Sequence, residues 1–297
     1  MKRHLLISIA SMLALSAPVQ GQNLFEADAG SGTINVFTPG GMQSTFASGL
    51  YDPDGLVFNG AGNLFQSDYG SGNIYEYAPG GARSTFASGL NAPSEMAFNG
   101  AGNLFVTDYH SGNVYEYTPG GARSTFASGL AEANGLAFNS AGNLFVSDSF
   151  TGNIFEFTPG GVQSTFASGL GNPAGLAFNS AGDLFEADFN SGNIYEFTSG
   201  GTQSTFASGL DAPAGLAFDS AGNLYVTAYN APLVGGYGYG SIYKFTPGGA
   251  QSTFASGLSY PYGMAFQPVP EPSTWAMLVL GSLTLLGWRR KAERRQG

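Results

Sequence analysis

The chain of 297 residues contains no cysteine and only two histidines, and few of its residues are basic. The lack of cysteine excludes disulfide bonds and zinc sites built on cysteine ligands. Between Gln22 and Pro272 three basic residues oppose 19 Asp and Glu, so this part carries a net charge near −16. Nucleic-acid binding needs a cationic surface and is therefore excluded, and adsorption to anionic lipid is disfavoured.

Familiar catalytic and cofactor motifs are also missing from the sequence. His110 follows Asp108 closely, but no serine stands out as the nucleophile that a Ser-His-Asp arrangement requires. Neither a P-loop nor a dinucleotide-binding fingerprint occurs, and the many Gly-x-Gly pieces are typical of hairpin turns.

What the chain has in abundance is an internal repeat. The phrase STFASGL recurs at a spacing of 40 residues four times and then 48, starting at Ser44, Ser84, Ser124, Ser164, Ser204 and Ser252. A fixed period near 40 residues predicts a repeat architecture.

Each unit predicts four short strands, here called A to D. In the unit Ala131–Leu170 they are Gly135–Phe138, Asn143–Asp148, Asn153–Thr158 and Ser164–Ala167, which alternate apolar with small or polar residues between turn residues. The connections are short enough only for antiparallel neighbours. Four antiparallel strands in about 40 residues indicate one blade of a β-propeller.

The two ends of the repeat region add up to one blade. Strands B, C and D of the first unit are Asn23–Asp28, Thr33–Thr38 and Ser44–Ala47, whereas its strand A is found only at Gly263–Phe266. A closed ring explains this division, because the last strand then pairs with the first three and removes exposed edges. The sequence predicts an all-β, six-bladed propeller of four-stranded blades closed by its C-terminal strand A.

The predicted propeller has two faces, and the loops of the two faces differ in how much their sequences vary between units. The A–B and C–D loops hardly vary and form what we call the constant face, whereas the D–A and B–C loops differ between units and form the variable face. Just before strand A, oxygen-bearing side chains occur on three adjacent blades at Asp54, Glu95 and Asn134. Their convergence at the channel mouth would suit a hard cation such as calcium, and solvated loop variation is the alternative.

The variable face also contains an eight-residue insertion within Tyr229–Gly240 of the sixth blade. Its glycines predict a mobile rim, and its tyrosines suggest contact with a glycan or a protein. A neutral loop expansion is equally compatible with the sequence. The candidate rim residues are Tyr229, Tyr237, Tyr239 and Tyr262.

An aspartate ends strand B in five blades. A carboxylate at this position can accept hydrogen bonds from loop amides, and its spacing does not match a calcium-binding EF-hand loop. We therefore assign a turn-holding role to Asp28, Asp68, Asp108, Asp148 and Asp188, with Ala228 in the sixth blade.

Targeting segments flank the repeats. Basic residues, the apolar run Leu5–Leu15 and small residues up to Gly21 predict a signal peptide at residues 1–21, ahead of a propeller at 22–266. Residues 267–297 contain Pro270, Glu271 and Pro272, a short apolar segment that predicts a transmembrane helix, and a basic end with Arg289 and Arg290.

This tail resembles the PEP-CTERM sorting signal. The resemblance implies export, transient membrane tethering, recognition by an exosortase-type processing enzyme and release to the cell surface or extracellular matrix. A permanent C-terminal anchor is the alternative. In both cases only the tail contacts the membrane.

The phrases PAGLAFNSAG and NLFVSD resemble NHL repeats and the six-bladed propellers of the TolB and gluconolactonase kind. Asp54-Gly55-Leu56 and Asn134-Gly135-Leu136 are similar to metal-site motifs of gluconolactonases, although their order differs and that family's Gly-Glu-Gly-Pro motif is missing. Two functions remain open: a non-catalytic surface propeller that binds a protein or polysaccharide through its variable face, which we favour because the units are nearly identical, and a metal-dependent lactone hydrolase.

Overall fold

A computed structural model describes residues 21–234 and 237–269, with side chains described up to Tyr229 and again from Tyr239. The described chain forms 24 β-strands in six four-stranded antiparallel sheets, each of which is one blade. Blades 1 to 3 contain β1 (Leu24–Asp28), β2 (Thr33–Phe37), β3 (Gln43–Ser48), β4 (Pro53–Phe58), β5 (Leu64–Asp68), β6 (Asn73–Tyr77), β7 (Arg83–Ala87), β8 (Pro93–Phe98), β9 (Leu104–Asp108), β10 (Asn113–Tyr117) and β11 (Arg123–Ala127). Blades 4 to 6 contain β12 (Ala133–Phe138), β13 (Leu144–Asp148), β14 (Asn153–Phe157), β15 (Gln163–Ala167), β16 (Pro173–Phe178), β17 (Leu184–Asp188), β18 (Asn193–Phe197), β19 (Gln203–Ala207), β20 (Pro213–Phe218), β21 (Leu224–Val234), β22 (Tyr237–Phe245) and β23 (Gln251–Ser259).

The last strand, β24 (Pro261–Phe266), pairs antiparallel with β1 and completes blade 1. Beyond the strands, the Gln267 amide donates to the Asn23 carbonyl at 2.9 Å, and the Asn23 side chain donates to Gln267 Oε1 at 3.1 Å. The prediction of a six-bladed ring closed in this way is confirmed. The strand bounds predicted for the unit Ala131–Leu170 agree with the structure to within two residues.

The innermost strands of neighbouring blades approach so closely that five of the six have glycine at the contact. A Cβ added at Gly55 would lie 2.6 Å from the Ser94 carbonyl oxygen and 2.9 Å from Glu95 Cα, both on the next blade. The glycines at positions 135, 175, 215 and 263 face equally close backbone, and blade 3 has Glu95 at this position instead. At the five glycine positions the neighbouring backbone leaves no room for a side chain.

Hydroxyl groups on strand B form hydrogen bonds between adjacent blades beside these glycine contacts. Ser147 Oγ accepts the Gly135 amide at 2.8 Å within blade 4 and donates to the Ala174 carbonyl of blade 5 at 2.6 Å. Thr227 repeats this arrangement between blades 6 and 1. Each hydroxyl thus satisfies buried backbone groups on two blades at once.

Aromatic side chains fill the space between blades, as the repeat predicts. Phe145 of blade 4 packs edge-on against Phe166 of its own blade at 4.9 Å and against Phe178 of blade 5 at 5.1 Å between ring centroids. The same geometry recurs around Phe25, Phe65, Phe105, Phe185 and Tyr225. Edge-to-face contacts of this kind add to the free energy gained from burying apolar area.

The insertion in blade 6 is not the loop that its glycines suggest. It lengthens β21 and β22 into one hairpin, in which Tyr229 pairs with Gly240 and Asn230 pairs with Tyr239. The insertion was predicted as a mobile rim or a neutral loop expansion, whereas its described residues continue the ladder of backbone hydrogen bonds between two strands.

Two carboxyl groups are buried between blades, at the third position of strand B. The side chains at this position are fully buried in all six blades: Glu26, Gln66, Val106, Val146, Glu186 and Val226. Burial raises the pKa of Glu26 to about 8, against a smaller lowering by its hydrogen bond from Asn35. Neither carboxyl oxygen of Glu186 has a hydrogen-bond partner, and burial raises its pKa as well.

No described helix is long and apolar enough to span a bilayer. The predicted signal peptide up to residue 20 and the predicted tail residues Pro270, Glu271, Pro272, Arg289 and Arg290, with the transmembrane helix between them, lie outside the described residues.

Replacing Glu26 by Gln should make the propeller more stable at high pH. The folded chain keeps the Glu26 proton up to about pH 8, whereas the unfolded chain releases it above about pH 4.5. The free energy of unfolding should therefore fall between these values, by roughly 1.4 kcal/mol per pH unit for this group. Glu26→Gln, which introduces the residue that blade 2 has at Gln66, removes that loss. Thermal melting should show a higher Tm than the parent at pH 8 and an equal Tm at pH 4.

The matched control for this substitution is Glu196→Gln, at a partly buried position of strand C in blade 5, β18. Its pH dependence should follow that of the parent chain. Equal pH dependence of the parent and Glu26→Gln would contradict the assignment of a proton to Glu26.

Candidate functional site

The aspartates that end strand B hold the loops of the variable face in place. Asp148 Oδ2 accepts the Ala131 amide of the D–A loop at 2.8 Å, and its Oδ1 accepts the Thr151 amide of the B–C loop at 3.2 Å. The same pair of bonds is made by Asp28, Asp68, Asp108 and Asp188. The turn-holding role predicted for these residues is confirmed, and it extends to the D–A loop that approaches the channel.

At the channel mouth, Asp54 and Asn134 are joined through a serine. Ser94 lies between them, with its Oγ 3.2 Å from Asp54 Oδ2 and 3.2 Å from Asn134 Oδ1. All three side chains are buried. When the repeat units are aligned, Ser94 rather than Glu95 occupies the position of Asp54 and Asn134. This alignment is the signal in the sequence that could have identified Ser94.

A tyrosine from the closing strand reaches the same network. Tyr262 of blade 1 places its hydroxyl 3.4 Å from both the oxygen and the nitrogen of the Asn134 side-chain amide, on blade 4. Asn134 also donates to Ser149 Oγ at 3.0 Å, and Ser149 donates to the Pro173 carbonyl at 2.9 Å. Tyr262 was predicted to lie on the rim, but its side chain is partly buried and bridges opposite blades of the ring.

The two acidic side chains of the mouth retain their protons more readily than free carboxyls. Burial raises the pKa of Glu95 to about 7. The pKa of Asp54 is raised well above its usual value by burial first and then by the nearby charges of Glu95 and Asp52, while the Ser94 hydrogen bond lowers it. Asp54 Oδ1 is buried without a hydrogen-bond partner.

This donor set fits a metal ion only in part. Among the described residues, no group of three or more His, Cys, Asp or Glu side chains comes together as metal ligands. The Asn134 oxygen is already the neighbour of two hydroxyls, so Asp54 and Glu95 are left as the available oxygen donors. Calcium takes six to eight oxygen ligands, and water would have to supply most of them.

The tyrosines predicted on the rim occupy different environments. Tyr229 is 5% exposed and stacks on Tyr260, with ring centroids 4.2 Å apart, so its assignment to an exposed rim was wrong. Tyr239 is 74% exposed, and the side chain of Tyr237 lies outside the described residues. Two further aromatic residues of this face, which the sequence did not single out, are exposed: Tyr51 at 72% and Phe150 at 76%.

A polar cavity opens on the variable face beside the channel. Its volume is about 800 Å³, and its lining includes Tyr51, Asp52, Tyr69, Asn91, His110 and Tyr260. His110 Nε2 lies 3.2 Å from the Tyr69 hydroxyl, so this histidine belongs to the cavity wall. A cavity of this size, with aromatic and polar walls, is suited to a small ligand or to one unit of a polymer.

Charge is distributed unequally between the faces. The three basic residues of the propeller, Arg83, Arg123 and Lys244, lie where strands C and D meet the C–D loops on the constant face. The variable face has no Lys or Arg among its described residues, and it carries ten carboxyl groups: Asp28, Asp52, Asp54, Asp68, Glu95, Asp108, Glu132, Asp148, Asp188 and Asp211. Asp54 and Glu95 hold their protons more readily than usual, but the other eight carboxyl groups have no basic residue opposite them on the described part of this face. The charge of the face therefore favours a neutral or cationic partner.

Comparison with known families identifies the tail. A model of the PEP-CTERM protein-sorting motif matches residues 268–291. The match confirms the resemblance of the tail and implies export with a membrane-anchored C-terminal segment. No curated protein matches the sequence of the chain.

Solved structures share the propeller fold at low sequence identity. A chain of a nidogen–laminin complex is 20% identical, with a TM-score of 0.74 over 84% of this chain and 99% of that chain. A gluconolactonase from Xanthomonas campestris is 20% identical (TM-score 0.64; 69% and 79% covered), and virginiamycin B lyase from Staphylococcus aureus is 13% identical (TM-score 0.61; 80% and 85% covered). Proteins with such different names share this fold, so these likenesses concern the fold alone.

Removing the amide of Asn134 should destabilise the propeller. Asn134→Ala introduces the residue that blade 5 has at Ala174, so the backbone can accept it, but Ser94, Ser149 and Tyr262 each lose a partner. Ser94 keeps its bond to Asp54 and Ser149 keeps its bond to the Pro173 carbonyl, so the loss is that of the buried hydrogen bonds to the amide itself. It should lower the free energy of unfolding by about 1–3 kcal/mol in urea titration. Asn190→Ala, which removes one exposed hydrogen bond, is the control and should change it by less than about 0.5 kcal/mol. Equal effects of both variants would show that the network contributes nothing to stability.

Proposed function

We propose that this exported propeller is a non-catalytic binding protein that holds a surface polysaccharide or a protein through its variable face. The observation that carries the proposal is the contrast between the faces. The variable face combines loops that differ between blades, an acidic charge with no basic residue opposite it among the described residues, and the exposed aromatic residues Tyr51, Phe150 and Tyr239. The loops of the constant face are nearly identical. Exposed aromatic residues are the typical anchors of binding surfaces.

The near-identity of the units supports binding over catalysis. An enzyme site in a central channel needs several blades to diverge in a coordinated way, whereas blades 5 and 6 have alanine at the mouth, at Ala174 and Ala214. The polar residues that do diverge, Asp54, Ser94 and Asn134, are largely engaged with one another.

Single alanine substitutions on the two faces test the proposal. Tyr51→Ala, Phe150→Ala and Tyr239→Ala should each weaken co-sedimentation of the propeller with extracellular matrix from the producing cells, by about fivefold to thirtyfold per anchor. Met42→Ala and Val162→Ala are matched controls, because these side chains are 73% and 69% exposed on the constant face. They should leave binding unchanged.

Treating the matrix beforehand distinguishes the two partner classes. Binding that survives protease but not periodate oxidation indicates a polysaccharide, and the reverse indicates a protein. Equal losses from the variants of both faces would contradict the proposal.

A lactone hydrolase that uses a metal at the channel is the second candidate. The specific observation in its favour is the buried, unpartnered oxygen of Asp54 close to the Glu95 carboxyl. In such an enzyme these two carboxylates would hold the ion, which would polarise the lactone carbonyl.

Calcium separates the two candidates. We expect no change in Tm up to millimolar calcium. Among the described residues no group of three acidic or histidine side chains meets at the channel mouth, and the pKa values of Asp54 and Glu95 are both raised. A ligand that binds only the folded state stabilises it by mass action. A rise in Tm with calcium would therefore favour the hydrolase if Asp54→Ala or Glu95→Ala abolishes it. The control variant Glu196→Ala should show the same rise as the parent.

A further inference from the structure

We infer that the propeller also contacts the membrane, where the sequence predicts contact through the tail only: while the tail is attached, the propeller lies with its constant face against the membrane surface and presents its variable face outward. The partner of the constant face is a lipid headgroup surface. The inference rests on where the tail leaves the fold, on the distribution of charge, and on exposed apolar residues.

The tail leaves from the constant face. β24 runs toward the A–B side of blade 1 and ends at Phe266, beside the start of β1 at Leu24. Two hydrogen bonds hold Gln267 at this position. Its backbone amide donates to the Asn23 carbonyl, and its backbone carbonyl accepts from the Gln22 side chain at 3.2 Å. The sorting motif begins at residue 268, directly after this fastened residue. Six residues, 268–273, separate Gln267 from the apolar segment of the tail, and they reach about 20 Å at most. The tail therefore attaches the propeller to the membrane by its constant face.

The charges of the two faces differ in the direction that this placement requires. The constant face carries the three basic residues of the propeller and six carboxyl groups, those of Glu76, Glu116, Glu156, Asp183, Glu196 and Asp219. Within the part of the chain that the structure describes, the variable face carries ten carboxyl groups and no Lys or Arg. An anionic lipid surface therefore repels the variable face more strongly. The propeller is net acidic as a whole, so the tether is needed to bring it to the membrane.

Two exposed apolar side chains strengthen the assignment. Met42 and Val162 project from C–D loops of the constant face, at 73% and 69% exposure. Arg83 and Arg123 lie beside equivalent loops and stack over Tyr75 and Tyr115, at 4.9 and 4.8 Å from the ring centroids. Apolar tips flanked by cationic and aromatic side chains are suited to the interfacial region of a bilayer.

This placement explains how a membrane-tethered propeller can still bind a partner. A strand of five or six residues separates the faces by roughly 17–20 Å, which exceeds the Debye length of about 8–10 Å at physiological salt. The variable face thus stays clear of the membrane. This consequence rests on the proposed function, but the orientation itself does not.

The absence of cysteine makes the orientation directly measurable. Single substitutions Met42→Cys and Val162→Cys label the constant face, and Tyr51→Cys and Phe150→Cys, at 72% and 76% exposure, label the variable face at matched exposure. Each full-length variant is labelled with one fluorophore and reconstituted in vesicles of phosphatidylethanolamine and phosphatidylglycerol. We expect headgroup-spin-labelled lipid to quench the constant-face labels several-fold more than the variable-face labels.

Iodide in solution provides the opposite readout. It should quench the variable-face labels more than the constant-face labels, provided that all four variants melt as the parent does. Equal quenching of both faces by the lipid probe, or stronger quenching at Tyr51→Cys and Phe150→Cys, would overturn the inference. Neither result bears on partner binding, which the alanine variants test separately.

Discussion

The close contact of the six innermost strands is the constraint on which the rest of the structure depends. At this contact the backbone of one blade occupies the space where a Cβ of the next would stand, so glycine is required at positions such as Gly55 and Gly263. Hydroxyls such as Ser147 then bond to backbone groups of two blades at the same level. Because each blade is positioned by its neighbours, the ring is complete only when β24 closes it against β1.

This constraint leaves few places where the sequence is free to vary. Outside the ring contact, the repeated aromatic residues fill the spaces between blades and fix strands B and D. Variation is tolerated at the third position of strand B, although Glu26 and Glu186 introduce buried carboxyls whose pKa values are raised by burial. It is tolerated most in the D–A and B–C loops, because the strand-end aspartates hold their backbone whatever the neighbouring side chains are.

Blade 3 departs from the ring pattern at the point where the mouth becomes polar. Glu95 stands where the other blades have glycine, and it lies near Asp54, Ser94, Asn134 and Tyr262. Hydrogen bonds join the last four residues across four blades and make the variable end of the channel a connected polar layer. The constant end carries the basic residues and the exit of the tail. A molecule assembled from near-identical units is therefore chemically asymmetric along its axis.

The sequence by itself determined the period, the strands of each unit, the number of blades and the closure, because alternation and turn residues act over a few neighbouring positions and the divided first unit is visible at the chain ends. It also determined which loops vary and what the sorting tail is. Tertiary structure alone decided that Ser94 links Asp54 to Asn134, that Tyr262 reaches a residue 128 positions away, and that Tyr229 is buried against Tyr260. It also showed that the Gly-rich insertion continues two strands. The physical reason is that these contacts join side chains from different blades, and their distances depend on how closely the ring packs, which no local pattern records.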